Sequence, residues 1–157
     1  MTLTYDEIYE LFLSKVTDYS ILELIENGEI DLVKESMHDW LKSSLSIPQT
    51  KKLFTTSVLD NDKSEFQFQL KNSVDDNSDL EFVCNLLSDA MVIKWLSPRV
   101  NSTLNINQMY GGKEEKFYSQ SNHTKQLCDM YKDLDRQYKK MIRDYGYINI
   151  AHTTGVE

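Results

Sequence analysis

The sequence predicts a mainly α protein: a four-helix bundle-like domain with a long C-terminal helix, a small β-hairpin at about residues 53–70 and an extended C-terminal tail. Three observations predict this class. Apolar residues recur every three to four positions in most of the chain, which is the period of an amphipathic helix. One intervening segment alternates apolar and polar residues, as half-buried strands do. The 157 residues are 40% hydrophobic and 27% charged, which is typical of one globular domain.

The first helix is predicted from a capping signal followed by an apolar stripe. Thr4 and Glu7 have the S/T-x-x-E spacing in which hydroxyl and carboxylate each satisfy a free backbone N–H. The stripe consists of Ile8, Leu11 and Phe12. A short turn of helix at residues 21–25 then stops at Gly28, a typical C-terminal signal.

A second helix is predicted at about residues 30–46. Its broad apolar face comprises Leu32, Val33, Met37, Trp40, Leu41 and Leu45, with Ser36 and Ser44 at the same spacing. Pro48 ends it, because the residue before a proline is pushed out of the helical region.

The hairpin is predicted because the hydrophobic period changes to two. Phe54, Thr56 and Val58 form one alternating set, and Phe66, Phe68 and Leu70 form the other. A polar turn at residues 60–63 separates them. A two-stranded hairpin is marginal alone, so we expect it to lean on helices or on a neighbouring chain.

The third helix is predicted to begin at a second capping-box spacing, formed by Ser78 and Glu81. Apolar residues at helical spacing continue to Trp95, and Pro98 ends or kinks the helix. We predict a loop at residues 101–112, which is rich in Asn and closed by two glycines.

The fourth helix is the longest, at about residues 114–145, with Gly146 as its C-terminal stop. Some 30 residues span roughly 45 Å, whereas a domain of this size has a radius of gyration near 15 Å. We therefore expect part of this helix to pack on another chain. We predict a single helical domain at residues 1–146, with the hairpin inserted, and an extended tail at residues 147–157.

The charge is distributed unevenly along the chain. The net charge is −8; residues 1–112 hold 9 Lys/Arg and 18 Asp/Glu, whereas residues 113–144 hold 8 and 6. An acidic body disfavours ordinary DNA binding, which relies on Lys and Arg neutralising phosphates. One interpretation is that one copy's acidic body faces another copy's basic helix, a head-to-tail contact that can close into a ring. The alternative is that a local excess of two charges has no function.

No motif in the sequence indicates a metal, a cofactor or catalysis. Cys84 and Cys128 are too few for a disulfide scaffold or a four-cysteine zinc site. The segment from Asp60 lacks the Gly and Glu that a calcium loop requires, and the segment around Lys113 lacks the P-loop pattern. We therefore expect no cofactor and no enzyme activity.

Targeting signals are also missing from the sequence pattern. The N-terminal residues are acidic and show no basic segment or cleavage site, so we expect no signal peptide. No run of about 18 apolar residues occurs, so we expect no membrane contact.

Two features of the C-terminal part are candidate interaction surfaces. The first, the basic stripe, comprises Lys132, Arg136, Lys139, Lys140 and Arg143 at steps of three and four. The nearby pair Asp129 and Asp133 carries like charges at i, i+4, which cost an isolated helix a few tenths of a kcal/mol. A partner of opposite charge is one interpretation of this region, and a solvated helix face is the other.

The second candidate surface is the C-terminal segment after Gly146, with Tyr147, Ile148 and Ile150, and Tyr145 at the end of the fourth helix is a further candidate interface residue. The alternating part of this segment, if extended, can add to a sheet edge of another protein. The alternative is an ordinary frayed terminus.

Four segments carry a resemblance to a known family. They are MVIKWLSPRVNS at 91–102, KFYSQSNHTKQL at 116–127, LSKVTDY at 13–19 and DWLKSS at 39–44. Together they resemble small structural proteins from the head-to-tail region of tailed phages that infect low-GC Gram-positive bacteria. The chain is similar to the head–tail connector, or adaptor, proteins of such phages. The resemblance spans most of residues 10–130.

The resemblance implies a structural role in the virion. Such adaptors are mainly helical and form a ring, typically of twelve copies, that docks under the portal protein. C-terminal segments often reach onto the portal or a neighbouring subunit, and the ring extends the DNA channel and offers a platform to the next neck protein. It follows that the chain would be made in the host cytoplasm, would lie at the head–tail junction and would meet DNA only as passing cargo during genome ejection.

Other functions remain open at this point. The chain can be another neck or tail-completion protein, which would differ in its neighbours and not in its chemistry. It can also be an acidic DNA mimic or anti-defence binding protein, although the basic stripe argues against that. A hydrolase that uses scattered Asp and Glu residues is the remaining alternative.

Overall fold

The computed structural model describes the backbone of residues 1–110 and 114–153, with the side chains of residues 1–18, 20–102 and 125–145. Within these residues the chain is mostly helical, with a small antiparallel sheet, which confirms the predicted class. The elements are β1 (Thr2–Thr4), α1 (Tyr5–Lys15), α2 (Tyr19–Glu26), α3 (Ile30–Leu45), α4 (Pro48–Lys51), β2 (Phe54–Asp60), β3 (Glu65–Leu70), α5 (Asp76–Tyr110) and α6 (Glu114–Thr153).

Capping side chains, a glycine and a proline set the ends of the N-terminal helices. Thr4 and Glu7 form the predicted capping box, with the Thr4 N–H donating to the Glu7 carboxylate at 2.8 Å. The stop after α2 is also confirmed, since Gly28 adopts a φ of +80° that only glycine takes without strain. Pro48 lies at the start of α4, where its missing N–H has no cost.

The predicted hairpin is present and belongs to a three-stranded sheet with the order β1-β3-β2. The alternation predicted for its first strand is wrong, because a register shift near the start of β2 interrupts it and Val58 is 56% exposed. The additional strand, β1, pairs antiparallel with β3 and places Leu3 opposite Phe66. Phe66, Phe68 and Leu70 are buried against the helices. The hairpin therefore has the support that its small size requires.

The predicted limits of the third helix are wrong at both ends. α5 begins at Asp76, because the Asp75 carboxylate accepts hydrogen bonds from the Ser78 N–H at 2.9 Å and from its hydroxyl. It passes through Pro98 and continues to Tyr110, so the loop predicted at 101–112 is helical over its first ten residues. Extending a helix that already packs on α6 is easier than starting one. Residues 111–113 lie outside the described residues.

The prediction of an extended tail is also wrong for residues 147–153, because α6 continues to Thr153. A four-residue alternation is too short to separate a strand from a helix. Gly146 costs a helix interior about 1 kcal/mol relative to Ala, which does not stop a helix that is already formed. Residues 154–157 lie outside the described residues.

α5 lies at the centre of the fold and is buried on two sides. Its Val83, Leu87 and Met91 join a large apolar cluster with α1, α3 and the sheet. Its Leu86, Ala90 and Ile93 join a smaller cluster with Tyr138 of α6. Burial on both sides explains why α5 is rich in apolar residues around most of its circumference.

Candidate interaction surfaces

The basic stripe lies on the outer side of α6. Leu134 and Tyr138 lie on the inner side and pack in the small cluster with α5. Helical geometry places the stripe residues roughly on the opposite side of the helix. The side chain of Arg136 is 79% exposed and that of Lys139 is 54% exposed. In the single chain, the stripe therefore faces solvent.

Part of the stripe's charge is balanced within α6. Arg136 pairs with Asp133 at 3.0 Å, Lys139 pairs with Asp135 at 2.6 Å, and the Arg143 Nε lies 3.5 Å from the adjacent Asp144. Exposed pairs of this kind contribute at most about 1 kcal/mol and are easily exchanged.

The charges that remain in the stripe belong to Lys132 and Lys140, which make no ion pair within the described residues. Asp133, by contrast, is paired inside the helix, so its repulsion of Asp129 requires no external partner. The unpaired lysines leave positive potential on the outer face.

Tyr145, predicted as an interface residue, has an internal role in this structure. Its ring stacks on Phe82 with centroids 3.7 Å apart and an interplanar angle of 8°. Its hydroxyl donates a hydrogen bond to the buried carboxylate of Asp79, which also accepts the Val74 N–H at 3.1 Å. Tyr145 thus fastens the C-terminal part of α6 to the first turns of α5.

The helical backbone changes how the other residues of the C-terminal segment group together. Their side chains lie outside the described residues, but the register of α6 is defined. Positions 147 and 150 follow Arg143 by four and seven residues, so they fall on the face of the basic stripe. Position 148 falls about 100° away from 147. An extended segment would instead have grouped 148 with 150.

An acidic surface lies on α2, α3 and their connection. Among residues 19–39 the only basic side chain other than histidine is Lys34. The exposed acids of this segment are Glu23, Glu26, Glu29, Asp31, Glu35 and Asp39. The segment also exposes large apolar side chains, namely Leu22, Ile25, Ile30 and Leu32. The sequence predicts the overall acidity but not this surface. The prediction that Leu32 lies on the apolar face of the second helix is wrong, because Leu32 is 52% exposed.

A groove opens between α1 and the α2–α3 connection. We call it the α1–α3 groove; its volume is about 210 Å³. Its apolar lining consists of Leu13, Ile25, Ile30, Val33 and Met37. Asp6, Glu10 and Lys34 stand at its rim, and Asp6 pairs with Lys34 at 3.4 Å. A groove with this lining accommodates an apolar side chain next to a cation.

Asp18 links the beginning of α2 to α5. Its carboxylate accepts a hydrogen bond from the Trp95 indole at 2.9 Å and forms an ion pair with Arg99. The Arg99 guanidinium also lies 4.2 Å from the centre of the Trp95 ring. The segments 13–19 and 91–102, which are far apart in sequence, therefore meet in the fold.

The surroundings of Asp18 favour its ionised form. Burial raises the pKa of its carboxyl, but hydrogen bonds from Ser20 and Trp95, together with the charge of Arg99, lower it by more. The net pKa lies below the ordinary value of an aspartate. This cluster stabilises the fold at neutral pH.

The described residues offer few groups for catalysis or metal binding. No cluster of three or more His, Cys, Asp or Glu side chains among them has metal-binding geometry. Cys84 is half-buried, and burial together with the charge of Glu7 raises the pKa of its thiol despite the nearby Lys15. That thiol is a weak nucleophile at neutral pH. None of the helices in the described ranges has the length and apolar character needed to cross a bilayer.

Comparison with known proteins found no relative of the chain. Neither the models of protein families, nor the curated proteins, nor the solved structures match the chain. The function is therefore inferred from the residues and from the surfaces described above.

Proposed function

We propose that the chain is a structural, non-catalytic neck protein of a tailed phage. Copies of it would form a ring that docks on the portal protein, extends the DNA channel and links the head to the tail through the next neck or tail-completion protein. The observation that carries the proposal is the outward-facing basic stripe on a chain whose other part is acidic. The resemblance to head–tail connector proteins supplies the class of assembly.

The acidic body suits a channel through which DNA passes. Residues 1–112 carry 9 Lys/Arg and 18 Asp/Glu, a net charge of −9. A wall of this sign repels the phosphate backbone, so DNA does not bind to it while moving. The same charge makes a sequence-specific DNA-binding role unfavourable.

The length of α6 also supports a role in assembly. Its 40 residues correspond to about 60 Å, several times the radius of gyration of about 15 Å expected for a chain of this size. Its described inner face packs on α5 and α4, and its outer face is charged and exposed. Such a helix has surface available for a second subunit.

The direct test is the protein content of purified virions. We expect mass spectrometry to find the polypeptide at the same copy number as the portal, and cross-linking to join the two proteins. A chain that is abundant in infected cells but absent from mature particles would refute the proposal and favour the acidic DNA-mimic alternative. Cross-links only to tail proteins would favour a tail-completion role.

A charge-reversal variant tests the stripe itself. Arg136→Glu with Lys140→Glu should weaken particle assembly in a complementation assay. Thermal stability should change by no more than about 0.5 kcal/mol, because both side chains are exposed. The matched control reverses Lys42 and Lys71, which are exposed and form no ion pair within the described residues. Normal particle yield from the stripe variant would contradict the role of the stripe.

A further inference from the structure

We propose that the α1–α3 groove binds the C-terminal part of α6 from a second copy of this chain, so that the copies join head to tail. This inference rests on the proposed function, because it names the contact between subunits of the ring. Four observations carry it: the lining of the groove, the charge of its rim, the register of α6 and the place of α6 in its own chain.

The groove has an apolar lining that remains partly in water. Ile25 is 37% exposed and Ile30 is 47% exposed, although both are large apolar residues. They lie beside the better-covered Val33 and Met37. Burial of these side chains by a partner is favourable because it removes apolar surface from water.

The charge of the groove's rim favours a positively charged partner. Asp6 and Glu10 stand one turn apart on α1, so their charges repel each other. Lys34 pairs with Asp6, but Glu10 has no ion pair within the described residues. The exposed acids of α2 and α3 extend the negative region beyond the groove. A cation from a partner is therefore stabilised most strongly beside Glu10, whose charge is not paired within the described residues.

The C-terminal part of α6 has the matching order of residues. Lys139, Lys140 and Arg143 carry positive charge on its outer face. The register places positions 147 and 150, a tyrosine and an isoleucine, on the same face and directly after Arg143. Cations followed by two large apolar residues correspond to an acidic rim followed by an apolar lining.

The partner must be a second copy, because α6 is already engaged in its own chain. Tyr138 and Thr50 share a buried hydrogen bond, and Tyr145 is fastened to Asp79. α1 and α3 pack on α5 through the large cluster, and Tyr138 of α6 packs on it through the small one. Placing α6 in its own groove would break these contacts. A contact between different surfaces of two copies is heterologous, and repetition of it forms a ring when the rotation closes.

The first experiment measures self-association by analytical ultracentrifugation and native mass spectrometry at up to millimolar concentration. The wild-type chain should self-associate. Ile30→Glu changes the groove at the first position of α3, where an acidic residue suits the helix N-terminus. Arg143→Glu changes α6 at a side chain that is 73% exposed. Each variant alone should self-associate much more weakly than the wild type.

A mixture of the two variants separates a head-to-tail contact from a symmetric one. The Arg143→Glu copy keeps an intact groove, and the Ile30→Glu copy keeps an intact α6. An equimolar mixture should therefore form a one-to-one dimer that does not grow further. A mixture that stays monomeric, or a wild-type chain that is monomeric at millimolar concentration, overturns the inference.

A charge exchange tests the pairing at the rim. Glu10→Lys and Arg143→Glu should each weaken self-association about tenfold or more, and the double variant should regain most of the loss. Asp62→Lys and Lys42→Glu are the matched controls on exposed residues that belong neither to the groove lining nor to the basic stripe, and they should have no effect. If the self-association of the double variant is weakened by the sum of the two single effects, the pairing of these residues is overturned.

The outcomes also separate this inference from the proposed function. If the polypeptide occurs in virions but none of these variants alters self-association, the inference is wrong and the neck role stands. If the variants behave as expected but the polypeptide is absent from virions, the contact stands and the neck role is wrong.

Discussion

The two sides of α5 are packed very differently. One side meets α1, α3 and the sheet in a cluster of 17 buried residues, whereas the other meets α6 in a cluster of four, counted over the described side chains. The large cluster is almost entirely apolar. The α6 side depends in part on hydroxyl groups, through Tyr138 with Thr50 and Tyr145 with Asp79. The comparison indicates that the large cluster is the main core, whereas α6 packs on α5 through one apolar face that two hydroxyl contacts supplement, and its outer face stays exposed.

The largest effect on stability is expected from the centre of the large cluster. Phe12 is fully buried, and its ring lies 5.5 Å from that of Trp40. Phe12→Ala should lower the free energy of unfolding by about 3–5 kcal/mol, because it removes apolar contacts and leaves a cavity. Urea denaturation measures the loss. Val58→Ala, at a residue that is 56% exposed, is the control and should change stability little. A loss below about 1 kcal/mol for Phe12→Ala would contradict the assignment of this cluster as the main core.

A smaller effect is expected on the α6 side. Tyr138→Phe leaves the buried Thr50 hydroxyl without its partner, so it should cost about 1–3 kcal/mol. Burial raises the pKa of Tyr138, and its hydrogen bond with Thr50 only partly offsets that, so the hydroxyl is protonated at neutral pH. Adding Thr50→Val should recover much of the loss, because both polar groups are then gone. If the double variant is less stable than Tyr138→Phe alone, the two hydroxyls are not paired with each other.

The third effect depends on pH and concerns the contact between α2 and α5. The pKa of Asp18 is lowered in the folded chain, so its contribution is complete above about 3.9, the pKa of an unfolded aspartate. The contribution is lost as the pH falls through the lower folded value. Asp18→Asn should therefore be less stable than the wild type at pH 7, and the difference should shrink below about pH 4. Melting temperatures across this range measure it; a difference independent of pH would contradict the role of the charge.

The smallest effect on stability, with the largest effect on assembly, is expected from the end of α6. Deletion of residues 147–157 should leave the fold intact and block particle assembly. Two point variants refine the test: Ile150→Ser should impair assembly, whereas Ile148→Ser should not, because only position 150 shares the face of Arg143 in a helix. Equal impairment by both would indicate an extended segment, as the sequence alone suggested. Normal assembly by the deletion variant would remove this segment from the interface.

Much of the fold was accessible from local patterns. The capping box at Thr4 and the stop at Gly28 each depend on residues within a few positions of one another, and the hairpin joins two strands that are consecutive in the chain. β1 was missed because three residues carry too little pattern, and its pairing with β3 joins residues more than 60 positions apart. The ends of α5 and α6 were misplaced because an Asn-rich segment and a glycine weaken a helix without ending it.

The interaction surfaces likewise include features that the sequence predicts and features that only the folded chain shows. Residue spacing placed the basic stripe on one face of a helix and separated an acidic body from a basic segment. Only the folded chain assigned Tyr145 to an internal contact, brought the acidic rim and apolar lining of the α1–α3 groove together, and grouped position 150 with Arg143. The physical reason is range: caps, turns and helical faces follow from neighbours in sequence, whereas a groove and the extent of a packed helix depend on residues that meet only after folding.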